Sequence, residues 1–224
     1  EHNRVEKGHA LVKKLLEGKN IVLITDAGMP GISDPGEDLV RMCHEAGITV
    51  TAVPGACACV TALTLSGLPT RRFAFEAFLP SDKKERAEVL SELAEETRTI
   101  LLYEAPHRLK KTLAELLERL GDRRLSICRE LTKRYETVWE TTLQEACILY
   151  ESQEPKGEYV LVLEGKPREE RIRKRQQDFQ KMTPGEHMRL YEEQGMDRKT
   201  AMKQVAKDRG VSKREIYQAL LLEE

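Results

Sequence analysis

The apolar run Ile21-Val22-Leu23-Ile24 and the loop that breaks it constrain this chain more than any other stretch. The loop reads Thr25-Asp26-Ala27-Gly28-Met29-Pro30-Gly31-Ile32-Ser33-Asp34-Pro35-Gly36. Four β-favouring residues in a row, with no polar alternation, predict a strand buried on both faces of a parallel sheet. The loop then lies at the strand's carboxyl end, the edge where open α/β sheets bind ligands. Its glycines allow close backbone approach, and its prolines hold one shape with fewer amide donors. An ordinary strand-to-helix connection needs only about two to six residues. This loop is longer and carries two carboxylates, so it reads as a ligand loop. It is not a phosphate cradle of the P-loop type, because no Gly-Lys-Ser/Thr follows.

At 224 residues the chain has room for one large or two small domains with a real core. No apolar run approaches the roughly 18 residues that cross a bilayer, and no secretory signal opens the sequence. The expectation is a cytoplasmic protein without membrane contact. The five cysteines (Cys43, Cys57, Cys59, Cys128, Cys147) sit in apolar segments without paired C-x-x-C spacing. They read as buried thiols in a reducing compartment, and no metal site is expected. The net charge of -1 hides an asymmetry: residues 167–224 hold 14 basic against 11 acidic side chains, so the excess of acid lies upstream. A polyanion would meet the tail first.

An opening helical pattern (Val5, Leu11, Val12, Leu15, Leu16) ends at Gly18. A parallel sheet rarely opens with a helix alone, so an amino-terminal strand is expected to be missing. After the long loop, Leu39, Val40, Met42, Cys43 and Ala46 mark a helix, and Ile48 to Val53 alternates as a second strand. Pro54-Gly55 breaks it, and small residues open a helix that ends near Gly67. Two glycine-bearing loops would thus face one crevice. Periodicity changes after the hinge-like Gly67-Leu68-Pro69-Thr70. Strands at Phe73–Phe78, Thr99–Tyr103, Leu125–Glu130, Tyr135–Glu140 and Tyr159–Leu163, with helices at Asp82–Glu96, after Pro106 and near Leu143–Tyr150, predict a mixed sheet. Lys166 to Lys181 is a linker in which Arg168, Arg171, Arg173, Lys174 and Arg175 cluster. Three short helices follow, opened by Thr183-Pro184-Gly185-Glu186, Asp197 and Ser212-Lys213-Arg214-Glu215. The last two match a helix-turn-helix pattern with Lys213 and Arg214 in the first turn of its second helix, suited to nucleic acid. The domains expected are 1–68, 69–166 and 167–224.

The long loop, Val53-Pro54-Gly55, Ser66-Gly67-Leu68-Pro69-Thr70, Tyr103-Glu104-Ala105-Pro106-His107-Arg108, Arg129-Glu130-Leu131-Thr132-Lys133 and Gly157 to Gly165 together resemble the small-subunit rRNA cytidine 2′-O-methyltransferase I family of the tetrapyrrole-methylase-like superfamily. The resemblance runs through almost the whole chain in order. It implies a two-domain α/β fold (class III methyltransferase) lacking its first strand, plus a small helical C-terminal domain. It also implies S-adenosylmethionine as methyl donor, a homodimer, and a cytidine ribose in the decoding region of 16S rRNA, in the small ribosomal subunit, as acceptor. Position by position, Asp26, Ala27, Gly28 and Ile32 would line the cofactor from one loop. Pro54, Gly55, Ala56, Cys57 and Ala58 would do so from the next, and Tyr103, Leu131 and Glu158 from the second domain. The chain departs from the family at Ala56-Cys57, where proline and serine are usual.

A ribose hydroxyl is a weak nucleophile, so a base would help. Glu104, His107 and Glu130 are the candidates, with Arg108, Lys133 and Arg134 placed for phosphates. Two rival readings share parts of this pattern: a small-molecule tetrapyrrole methylase, which has no use for a basic tail, and a non-enzymatic RNA-binding module, which needs no cofactor.

Overall fold

A computed structural model describes residues 2–167, 170, 173, 176–179 and 181–223. Most of the arginine cluster expected in the linker lies outside the described residues. Two compact units divide between Gly165 and Lys166.

The first unit opens with α1 (His2–Leu16), α2 (Glu37–Glu45) and α3 (Ala58–Leu65). A mixed sheet and its helices follow: β1 (Phe73–Ala77), α4 (Lys83–Glu95), β2 (Thr99–Glu104), α5 (Pro106–Leu120), β3 (Arg124–Arg129), β4 (Thr137–Thr142), α6 (Leu143–Ser152) and β5 (Tyr159–Leu163). The strand order is β1-β2-β5-β3-β4, with β1 and β2 parallel and every other pair antiparallel. This is the mixed sheet that the sequence predicts.

Period-two alternation assigns each strand residue to a face. On one face Ile100, Leu102, Leu125, Ile127, Leu161 and Leu163 pack against leucines of α4, α5 and α6. On the other, Leu101, Cys128, Val160 and Val162 meet Cys59, Ala62 and Leu63 of α3. All five residues of β5 are buried, which is why Tyr-Val-Leu-Val-Leu carries no polar alternation. Pro106 supplies the fixed φ of a first helical turn, and Gly121 ends α5 fifteen residues later. The Gly67–Thr70 connector is pinned, because the Thr99 hydroxyl donates to the Pro69 carbonyl at 2.6 Å.

Two expectations fail. Ile21–Ile24 and Ile48–Val53, both read as strands, carry no regular structure. Val22, Ile24 and Val53 are 83%, 81% and 85% exposed. Composition reports a propensity for extended backbone, whereas a strand also needs a neighbour for its N–H and C=O groups. Among the described residues neither run has one.

The second unit holds α7 (Pro184–Glu193), α8 (Arg198–Arg209) and α9 (Lys213–Glu223) around Met188, Tyr191, Ala201, Met202, Val205, Ala206 and Ile216. Thr183 and Glu186 form a reciprocal capping box, and Asp197 accepts two backbone N–H groups at the start of α8. Gly210 ends α8 in the left-handed region, and Ser212 and Glu215 cap α9 reciprocally. Three helices start where the sequence places them.

Gly165 closes the first unit against the turn before β2. A Cβ there would lie 2.3 Å from the Arg98 carbonyl oxygen and 2.5 Å from the Thr97 carbonyl carbon. That turn is itself fixed, since Glu96 accepts from the Thr97 and Arg98 amides at 2.7 Å each. The clash is with backbone and has no flexible escape, so Gly165→Ala lowers unfolding free energy by about 3 kcal/mol in a urea titration.

Candidate active site

The glycine loops of the first unit touch one another. Gly28 sits at φ 77, and a Cβ there would stand 3.2 Å from the Ala56 carbonyl oxygen. A Cβ at Gly55 would stand 3.5 Å from the Met29 side chain. The Thr25 hydroxyl donates to Asp34 at 3.2 Å, closing the longer loop on itself. Asp26, Ala27, Gly28 and Ile32 are exposed on it, as are Pro54, Gly55, Ala56 and Ala58 on its neighbour.

The second loop runs into α3, whose first turn is tied to the sheet. The Cys59 amide donates to the Tyr103 hydroxyl at 3.1 Å. Tyr103 stands edge-on to Phe75 and Phe78, with centroids 5.0 and 5.8 Å away. Burial, then the neighbouring Cys59 thiol, pushes the Tyr103 phenol up, so it stays neutral and accepts that amide. Cys57, Tyr103 and Leu131 all pack on the cluster beneath α3. Ala56 and Gly28, Cys57, Tyr103 and Leu131 therefore form one continuous set of contacts.

Glu158 joins this set through a clamp. The Glu130 amide donates to the Glu158 carbonyl, and the Glu158 amide donates to the Glu130 carboxylate, each at 2.9 Å. Lys133 bridges both carboxylates, at 3.1 Å to Glu130 and 2.6 Å to Glu158. Gly157 is obligatory beneath it, since a Cβ would lie 2.5 Å from the Glu130 side chain. Glu130 and Thr132 hold φ 51 and 64, unusual for residues with a Cβ. Leu131 is thereby fixed between two strained neighbours.

The same geometry changes the reading of the proposed bases. Glu104 lies on the opposite face of β2 from Tyr103 and is 2% exposed. It accepts from the Thr112 hydroxyl and, at 2.8 Å, from the Ala105 amide, with Arg108 at 3.7 Å. It holds the start of α5 and is walled off from the loops. Arg108 donates to the Leu79 carbonyl at 2.6 Å and so serves as a brace rather than a phosphate contact. The Glu158 amide first, and Lys133 next, hold the Glu130 carboxyl below its ordinary range, which makes it a clamp and a weak base. His107 is exposed in the first turn of α5, and Arg134 lies over the Tyr135 ring at 5.6 Å. Sequence reasoning missed Phe75 and Phe78 as the aromatic wall around Tyr103. Their alternation was visible, but only as a strand. It also missed Arg86, buried on the far face, where it donates to Glu115 at 2.6 Å and to the Thr112 hydroxyl at 2.8 Å.

The clamp has a pH dependence with a definite sign. A carboxyl whose folded pKa is depressed contributes above its unfolded value of about 4.5 and loses that contribution as pH falls towards the depressed value. Protection of the Glu158 amide, measured as its exchange rate relative to the intrinsic rate at each pH, is therefore kept at neutral pH and falls as pH drops below about 4.5. In Glu130→Ala that protection is low throughout.

Comparison with known proteins shows the family. Residues 1–147 match the family of Tetrapyrrole (Corrin/Porphyrin) Methylases. The chain is 46% identical to the ribosomal RNA small subunit methyltransferase I of Halalkalibacterium halodurans, over 97% of this chain and 74% of that protein. It is 44% identical to the protein of the same name from Synechocystis, over 99% of this chain and 78% of the relative. The chain thus spans about three quarters of these relatives. Among solved structures, the methyltransferase CobJ is similar at a TM-score of 0.54 and 19% identity, over 72% of this chain and 71% of that one. Uroporphyrin-III-C-methyltransferase from Thermus thermophilus is similar at 0.50 and 23%, over 71% and 70%. These two likenesses bear on the fold alone. With both loops, the sheet and the chain-long identity in agreement, the protein belongs to the tetrapyrrole methylase family and, within it, to the ribosomal RNA small subunit methyltransferase I group.

Proposed function

We propose that this chain transfers a methyl group from S-adenosylmethionine to the 2′-hydroxyl of a cytidine ribose in 16S rRNA. The observation that carries the reading is the contact between the Gly28 and Ala56 loops, continued through Cys57 to Tyr103 and Leu131. The residues fit an adenosyl cofactor. Gly28 leaves backbone uncovered where a side chain would meet Ala56, and Tyr103 and Leu131 offer an apolar floor on which an adenine could lie. Asp26 is an exposed carboxylate able to accept from ribose hydroxyls or balance a cation.

The bound cofactor would supply an activated methyl on a sulfonium sulfur. The chain's own work is alignment. Asp26–Gly28 and Ile32 hold one side, Pro54–Ala58 the other, and Tyr103 keeps the start of α3 fixed to β2. The Glu130–Lys133–Glu158 clamp sets Leu131. The departing hydroxyl proton leaves to solvent or to His107, which is exposed, since Glu104 is buried on the other face and Glu130 is engaged. Lys213 and Arg214, both exposed in the first turn of α9, are placed for RNA phosphates. The reading includes a homodimer, supported by apolar side chains left in solvent at Val22, Ile24 and Val53.

Two measurements test it. Calorimetric titration with S-adenosylhomocysteine gives saturable binding to the full chain, and Gly28→Val weakens it at least about tenfold. Absence of heat with the unaltered chain overturns the cofactor reading. For the RNA, Lys213→Ala with Arg214→Ala weakens binding to a decoding-region fragment and lowers the log–log salt slope by about two. An unchanged slope removes α9 from the RNA interface.

A further inference from the structure

Two of the five thiols lie side by side where the second glycine loop becomes α3. The Cys57 and Cys59 sulfur atoms are 3.3 Å apart. Cys59 is 4% exposed and held through its amide by Tyr103, whereas Cys57 is half-buried and reachable from solvent. Residues two apart in sequence keep their Cα atoms within roughly 7 Å, and a disulfide accommodates about 4.4–6.8 Å. The sulfurs need close by only about 1.3 Å to reach bonding distance, near 2.05 Å.

We propose that Cys57 and Cys59 are an oxidisable dithiol, converted by low-molecular-weight disulfides into an intrachain disulfide that withdraws the Pro54–Ala58 loop from cofactor binding. The last clause rests on the function proposed above; the bond itself does not. Cys57, as thiolate, attacks one sulfur of the small disulfide and expels one small thiolate, giving a mixed disulfide. Cys59 then loses its proton to solvent and attacks the Cys57 sulfur, expelling the second small thiolate. Two protein thiols are oxidised by two electrons, and one small disulfide is reduced to two thiols. Burial pushes the Cys59 thiol up, so Cys57 attacks first and Cys59 resolves.

Because Cys59 is anchored, Cys57 makes the larger movement. Ala56 precedes it directly, and the Ala56 carbonyl is what a Cβ on Gly28 would meet at 3.2 Å. Contraction therefore disturbs the contact between the two loops.

The test uses the full chain incubated with glutathione disulfide, alkylated with N-ethylmaleimide, digested and weighed. The peptide spanning Cys57 and Cys59 loses two hydrogens and escapes alkylation until dithiothreitol is added. Cys59→Ser, checked for fold by circular dichroism, instead keeps a glutathione adduct on Cys57. In the oxidised chain the affinity for S-adenosylhomocysteine falls at least about tenfold and recovers on reduction. A stable glutathione adduct in the unaltered chain, with Cys59 still alkylated, overturns the dithiol. A disulfide with undiminished affinity overturns its effect on the loop. If the reduced chain binds no S-adenosylhomocysteine, the function proposed above fails and the switch with it, while the mass result stands by itself.

Discussion

The register of β2 is the constraint on which the rest of the first unit depends. Ile100, Leu101 and Leu102 are wholly buried, yet they serve different layers: Ile100 and Leu102 the helices α4 to α6, Leu101 the underside of α3. The alternation continues into Tyr103 and Glu104, the first facing the glycine loops and the second facing α5. A slip of one residue would exchange those two faces. It would bring a carboxylate under α3 and a phenol into a leucine layer. The core thus decides which side chain meets the loops.

Around that strand the loops are fixed by polar contacts rather than by depth of burial. Glu130 and Thr132 occupy left-handed backbone, each costing of order 1 kcal/mol or more, and the surrounding hydrogen bonds hold them there. The result is a leucine presented from a rigid frame. Such a frame holds one geometry without deep burial, which is what the alignment required by the proposed methyl transfer would need.

The sequence was most legible where the determinants are local. Thr183 and Glu186, Asp197, Gly210, and Ser212 with Glu215 are short-range caps, and α7, α8 and α9 begin where these caps say. Tyr159–Leu163 was legible because a strand covered on both faces leaves an unbroken apolar run. The same reasoning misread Ile21–Ile24 and Ile48–Val53, whose runs look equally apolar, because a ladder partner is a property of the fold rather than of the run. The resemblance to a known family, rather than composition, grouped Gly28, Ala56, Cys57, Tyr103 and Leu131; in the structure Cys57, Tyr103 and Leu131 pack on one buried cluster, and Gly28 lies against Ala56. What composition could not give was the side of the sheet. Glu104 and Tyr103 are adjacent in sequence and face opposite layers, so the sequence offers as one candidate base a carboxylate that lies buried against α5.

That network has a consequence for how such chains diverge. Arg86 donates to Glu115, to Thr112 and, at 3.4 Å, to the Pro80 carbonyl, while Thr112 donates to Glu104. Removing one member strands its partners in a poorly hydrated interior, whereas replacing the group together with apolar residues of similar volume can be nearly neutral. Positions 86, 104, 112 and 115 are therefore expected to evolve as a block, exchanged jointly or kept jointly, even though three different elements carry them.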